Sequence, residues 1–430
     1  MTNSSLPTRA IGGANPRTTT AAMAAGILLI SLIGFAAVSA EAQTYTVLHN
    51  FSGGGDGREP YAGLSMDRAG NFYGTTVYGG NLNNCDLSYG CGVVFKLARE
   101  GSGWVLSALY TFQGGADGET PYAGVTVGPD GSLYGTTELG GMLTGCVGVG
   151  CGTVYKLTPP ATVCKAVSCP WTKTVLYEFN GADGDEPLYG NLIFDQAGNL
   201  YGTTEAGGAY GAGTVYELTP SNGVWTESVL WSFTGGDDGR APCSGVTFDS
   251  AGNLYGTTVF GGTNQAGNVY ELSPSGSGWT EKTLFSLDGV YEGYESIGGV
   301  AMDHQGNLYG TARFEGAQGG GTAFQLAPSD GGWTYTLMQA FSGIAGPVDT
   351  PTLDAAGSVY VTSTFTGGNG GVFKLTPSNG GWNSATLHSF NGNDGSAPVG
   401  GVILETNGNV YGSTANGGTD GKGVVFEITP

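Results

Sequence analysis

Histidine is almost absent: His49, His304 and His388 are the only three in 430 residues. None stands beside an obvious nucleophile, which weakens any reading built on a histidine base. Basic residues are scarce too, with 14 Lys and Arg against 35 Asp and Glu. That balance excludes the electrostatic footprint of a nucleic-acid or anionic-lipid binder. No cysteine pair has C-x-x-C spacing and no histidine lies near one, which weakens a zinc site. After residue 40 there is no second apolar run long enough to span a membrane and no long stretch of helical periodicity. The chain stops at Thr429-Pro430 without a hydrophobic tail, so no C-terminal anchor is expected.

The first forty residues have their own pattern. Arg9 and Arg17 precede an apolar run from Ala21 to Val38, followed by Ser39-Ala40-Glu41-Ala42. A positive n-region, an h-region and an A-x-A-like site predict a signal peptide over 1–42, cleaved after Ala40 or Ala42. The apolar core is short and rich in Ala and Gly, which argues against an uncleaved anchor. Export to the periplasm or outside the cell follows. Removing residues 1–40 takes away two basic residues and no acid, leaving 12 basic and 35 acidic residues and a formal charge of −23.

Glycine is what the chain has most of, 82 residues. Apolar residues keep fixed offsets from those glycines, so we read them as turns between short strands. The phrase Gly198-Asn199-Leu200-Tyr201-Gly202-Thr203-Thr204 recurs, with its tyrosine at Tyr73, Tyr134, Tyr201, Tyr255, Tyr309, Tyr360 and Tyr411. A period near 50 residues signals a repeat architecture. Residues 171–220 hold four apolar segments: Trp171 to Phe179, Gly190 to Asp195, Asn199 to Thr204 and Thr214 to Leu218. Seven such units predict an all-β fold, a seven-bladed β-propeller of four-stranded blades occupying 43–430. From the axis outward the strands are named a (Gly190 type), b (Asn199 type), c (Thr214 type) and d (Trp171 type). Tyr45 to Phe51 is a d-type strand with no a, b or c before it, and Val424 to Ile428 is a c-type strand with no d after it. The N-terminal strand is therefore expected to complete the last blade and close the ring.

The phrases GNLYGTT, then GG, then GTVYELTP resemble the GloVer-type tandem repeat of exported bacterial proteins. The resemblance spans nearly all of 43–430 and implies export and a repeat architecture; it transfers no catalytic residue. A weaker similarity is to NHL-type and lactonase or lyase propellers, whose blades also carry a G-N-[LI]-Y segment.

Sites are expected on the face that carries the d–a and b–c loops. The d–a loops repeat an acidic turn at Asp56, Asp117, Asp183, Asp238 and Asp394, with Glu292 in the fifth repeat. Such carboxylates can bind Ca²⁺, and Asp-Gly is equally ordinary turn chemistry. Tyr61, Tyr122, Tyr189, Tyr291 and Tyr294 lie near these loops, placed either to bind a glycan or protein ligand or to pack between blades. The fifth repeat diverges most: Glu292, Glu295 and Arg313 can form an acid/base group or a structural ion pair. Three close cysteine pairs are candidates for short disulfides: Cys85 with Cys91, Cys146 with Cys151, and Cys164 with Cys169. Cys243, the odd one, reads as a buried thiol. The leading expectation is a monomeric, non-catalytic binding protein for an extracellular glycan or protein. The alternative is a hydrolase or lyase, Ca²⁺-dependent or not, acting at the channel mouth; a purely structural surface protein is the third.

Overall fold

Short β-rich segments punctuated by glycine pair into seven four-stranded antiparallel sheets in the computed structural model, which describes residues 43–82, 85, 88–142, 145–146, 148–161 and 171–430. The sheets surround a common axis as a seven-bladed β-propeller. Blade 3 shows the plan: Ile193–Phe194 (a), Leu200–Thr204 (b), Thr214–Ser221 (c) and Val224–Ser232 (d) pair in that order. Each blade thus takes its outer strand from the start of the next sequence repeat. The strand after Trp171, Thr172–Glu178, pairs with Thr153–Thr158 of blade 2. The offset leaves blade 7 without an outer strand, and Thr44–Asn50 fills it, pairing Tyr45 with Ile428 and Asn50 with Val424. Among the described residues no helix is long and apolar enough to cross a membrane. The predicted signal peptide lies outside the described residues, and so do Cys164 and Cys169, the third of the expected disulfide pairs.

The GNLYGTT phrase is framework at three levels. At its start, the acid that closes strand a gathers the whole a–b turn. Asp67 accepts the N–H groups of Ala69 and Asn71, the Asn71 side chain and the Tyr73 hydroxyl. Asp195 and Asp303 repeat this with Tyr201 and Tyr309, and Glu405 takes the Tyr411 hydroxyl. In the middle, Gly202 pairs with Tyr216 of strand c, and a Cβ there would stand 2.5 Å from the Tyr216 hydroxyl. The missing side chain lets the strand c ring lie flat inside the blade, each such burial being worth about 2–3 kcal/mol. Blade 6 departs, with Val361 opposite Phe373.

At the end of the phrase, the first threonine latches its blade to the next. Thr75 Oγ1 donates to Ala123 O at 2.8 Å, Thr203 to Ser244 O at 2.6 Å and Thr311 to Asp349 O at 2.8 Å. Ser413 donates to Ala62 O at 2.9 Å, across the seam between the last blade and the first. The ring is closed both by the outer strand and at the axis.

Candidate functional site

The loop leading into each strand a sets one residue at the mouth of the central channel, three positions before a core Leu, Val or Pro. In order these are Tyr61, Tyr122, Tyr189, Cys243, Ile297, Val348 and Val399. All but Cys243 line a cavity of about 560 Å³ that reaches down the axis to strand a side chains such as Ile193, Met302 and Leu353. That volume is within the range of small-molecule sites, roughly 300–1,000 Å³. The mouth is asymmetric. Tyr61 and Tyr122 meet edge to face at 5.4 Å, and Tyr122 and Tyr189 at 5.5 Å, forming an aromatic crescent over blades 1 to 3. The sequence left open whether these tyrosines bind or pack between blades; they contact one another and face the cavity. Cys243, at the fourth position, is buried, as expected. Its thiol lies against Glu205, and burial followed by that carboxylate pushes its pKa well up.

Outside the crescent runs a second ring. Glu59, Thr120, Glu186, Ala241, Glu295 and Ala397 all have positive φ, between 53° and 58°, which is uncommon for non-glycine residues. Their carbonyls accept the N–H of the residue that follows strand b: Glu138 to Thr120 O at 3.1 Å, Glu205 to Glu186 O at 2.9 Å and Arg313 to Glu295 O at 3.2 Å. The register brings Glu138, Glu186 and Glu205 together beside Tyr122 and Tyr189. Burial, and then its neighbours Glu186 and Glu205 against a bond from Thr120, raise Glu138 to about 7.

One acid stands in the channel wall itself. Asp349 occupies the position held by Ala62, Ala123, Gly190, Ser244, Gly298 and Gly400 in the other blades. It is 4% exposed and lines the cavity. Its Oδ2 accepts Thr362 N–H at 3.1 Å, while Oδ1 has no partner. Burial raises its pKa to about 7 against the partial relief of the Thr362 bond.

The repeated acidic turns are built differently. Asp56 accepts Ser52 N–H, the Ser52 hydroxyl and His49 Nε2; Asp183 accepts Asn180 N–H, its side-chain amide and Tyr177 Oη. Asp117, Asp238 and Asp394 take the same kind of backbone N–H from Gln113, Thr234 and Asn391, and Glu292 takes that of Asp288. These carboxylates tie the loop to the end of the outer strand, and none of them lines the cavity. Of the fifth-repeat trio, Glu295 and Arg313 form an ion pair at 3.6 Å, whereas Glu292 stays in its own turn. His49 and His388 lie in outer strands and His304 in an a–b turn.

Cys85–Cys91 and Cys146–Cys151 are disulfides in the b–c loops of blades 1 and 2. The third disulfide expected from the sequence is not among them, because Cys164 and Cys169 both fall outside the described residues. Among the described residues, two groups place three metal-ligating atoms within 4.8 Å: Cys85, Cys91 and Glu119, and Cys146, Cys151 and Asp185. In both, two of the three atoms are disulfide sulfurs, which are not thiolate ligands. Asp349, Glu138, Glu186 and Glu205 were missed by reading what the repeats share. The signal for Asp349 was available as the one acid in a column of Ala, Gly and Ser.

In sequence, a Gloeobacter/Verrucomicrobia repeat matches residues 35–169, 86–304 and 148–353. No curated protein matches the chain. Among solved structures, a Bacteroides uniformis protein with a suggested 6-phosphogluconolactonase activity is 12% identical, with a TM-score of 0.47, covering 76% of this chain and 85% of its own. A Thermus thermophilus protein with a suggested glucose dehydrogenase activity is 15% identical, with a TM-score of 0.39, covering 72% and 96%. A Dyadobacter fermentans protein of unknown function is 13% identical, with a TM-score of 0.42, covering 89% and 96%. Likeness at these levels carries no substrate to this chain.

Proposed function

The chain belongs to the Gloeobacter/Verrucomicrobia repeat family, and on that premise we propose that it is an exported propeller which binds a glycan unit at its channel mouth. The crescent of Tyr61, Tyr122 and Tyr189 carries this reading, because it sets three amphipathic rings around one opening of ligand size. Tyrosine offers an apolar face to a sugar ring and a hydroxyl to its rim. The leader-like residues 1–42 and the two disulfides support export, since disulfides persist in oxidising compartments. The acidic turns, with their oxygens already engaged, support a framework role better than a ligand role. The test is calorimetric titration of the exported chain with neutral oligosaccharides. Tyr61→Ala/Tyr122→Ala should weaken binding roughly tenfold or more while the fold survives. Absence of any glycan binding by the unmutated chain would sink the reading.

One observation favours a second reading, a hydrolase or lyase. Glu138, raised to about 7 among Glu186 and Glu205, has the character of a general acid. Turnover of a chromogenic lactone or glycoside that disappears in Glu138→Gln would put this reading first.

A further inference from the structure

Among the described residues, Asp349 is the only charged side chain that lines the cavity, and no Lys, Arg or His lines it. Anionic ligands therefore meet no counter-charge there. The carboxylate is 4% exposed, with one oxygen bound to a backbone N–H and the other without a partner. Leaving a buried carboxylate half-satisfied is costly, and the cost is removed by a ligand that supplies both a donor and a positive charge. The rest of the mouth points the same way. Tyrosine faces attract cations. The carboxyls of Glu138, Glu186 and Glu205 stand beside the crescent, while of the basic residues of this rim Arg58 and Arg313 are paired with Glu59 and Glu295 and Arg240 lies over the Phe260 ring at 4.8 Å. Ser244, at the equivalent position in blade 4, turns its hydroxyl to Thr257 within its own blade at 3.0 Å, so the wall itself requires no acid at this point.

We propose that Asp349 anchors a primary ammonium group, and that the ligand of the channel is an amine-bearing sugar. This rests on the reading of the mouth as a glycan site and names the class of glycan. No covalent bond is made or broken: the ammonium donates to the unpartnered carboxylate oxygen, which is buried in the ligand-free chain, while the sugar ring lies against the crescent.

The experiment is calorimetric titration of the full exported chain at pH 7 with four probes: chitosan tetramer, its fully N-acetylated counterpart, cellotetraose and ethanolamine. The chitosan tetramer should bind at least roughly tenfold tighter than either neutral tetramer. In Asp349→Asn that preference should fall to less than about twofold while affinity for the neutral tetramers holds. Asp349→Ser, which copies the residue of blade 4, should behave alike and guards against misfolding of the first variant. Equal affinity for charged and neutral tetramers in the unmutated chain would overturn the proposal, as would a preference that survives both substitutions. A thermal shift by Ca²⁺ that is lost in Asp349→Asn, without amine binding, would overturn it in favour of a metal. Ethanolamine binding that depends on Asp349, with no tetramer bound, would keep the ammonium anchor and remove the glycan.

Discussion

Asp67 and Asp349 flank inner strands of the same fold, one just after strand a and the other just before it, yet their surroundings are opposite. Asp67 accepts two backbone N–H groups, a side-chain amide and a tyrosine hydroxyl. Burial pushes its pKa up, but the bonds from Asn71, Tyr73 and Ala69 outweigh it and hold the carboxyl below its ordinary value. Asp349 has one backbone donor, and burial wins. The first kind of acid recurs around the ring, as Asp249, Asp303 and Asp354 show with the same downward shift. The second kind occurs once in the column of residues that precede strand a. A residue that every blade carries is supplied with partners by every blade, because the turn that presents it is the turn that satisfies it. A residue that one blade carries alone has no such guarantee, and Asp349 keeps one buried oxygen without a partner, which is the bonding capacity the proposed ligand would use.

The largest effect that can break this comparison is on stability. Asp349 holds its proton in the folded chain up to about pH 7, against an ordinary value of 3.8. Its contribution is therefore favourable below about pH 4 and is lost as pH rises toward 7. Asp349→Asn should leave stability unchanged at pH 4 and raise it at pH 8, by on the order of 4 kcal/mol. Urea unfolding of the ligand-free chain at both pH values measures this. An equal change at both would mean that the carboxyl is not the isolated group described.

The turn acids should respond with the opposite sign. Asp67 contributes stability above its ordinary pKa, and that contribution is lost as pH falls through its depressed value in the folded chain. Asp67→Ala should cost about 1–2 kcal/mol at pH 7, because it orphans donors that are only partly exposed. The cost should shrink toward pH 2, and ligand binding at the channel should be untouched. A loss of binding in this variant would erase the distinction between framework acids and site acids.

What the sequence made legible follows the same division. Period, strand order and ring closure were readable because each blade repeats the evidence and because Tyr45 to Phe51 and Val424 to Ile428 each lack what the other supplies. Tyr61, Tyr122 and Tyr189 were singled out as aromatics near the loops; their convergence on one mouth needed the ring geometry. Glu295 and Arg313 were recognised because the fifth repeat diverges in type. Asp349 was not, since its neighbours Pro347 and Val348 keep the sixth repeat ordinary in hydrophobic pattern. Charge at a position that is small elsewhere emerges only when blades are superposed. Glu138 and Glu205 escaped for a related reason: they follow the loudest motif directly and read as its tail.

The smallest effect sharpens the framework side of the comparison. Ser413 closes the ring at the axis by donating to Ala62 O, where the other blades that make this contact use threonine. If the latch is framework, Ser413→Ala should cost about 1 kcal/mol, as should Thr203→Val, which removes the equivalent bond to Ser244 O. The Thr203 bond is buried and the Ser413 bond part-buried, and each substitution leaves a carbonyl with one fewer donor. Blade 7 differs from every other blade in one respect: its strands c and d are not consecutive in the chain, so their pairing alone, without a c–d turn, holds Thr44–Asn50 in place. Amide exchange in Thr44–Asn50 should therefore quicken in Ser413→Ala and stay unchanged in Thr203→Val. Equal protection of that strand in both variants would show that the outer strand alone closes the ring and that the axial latch adds nothing at the seam.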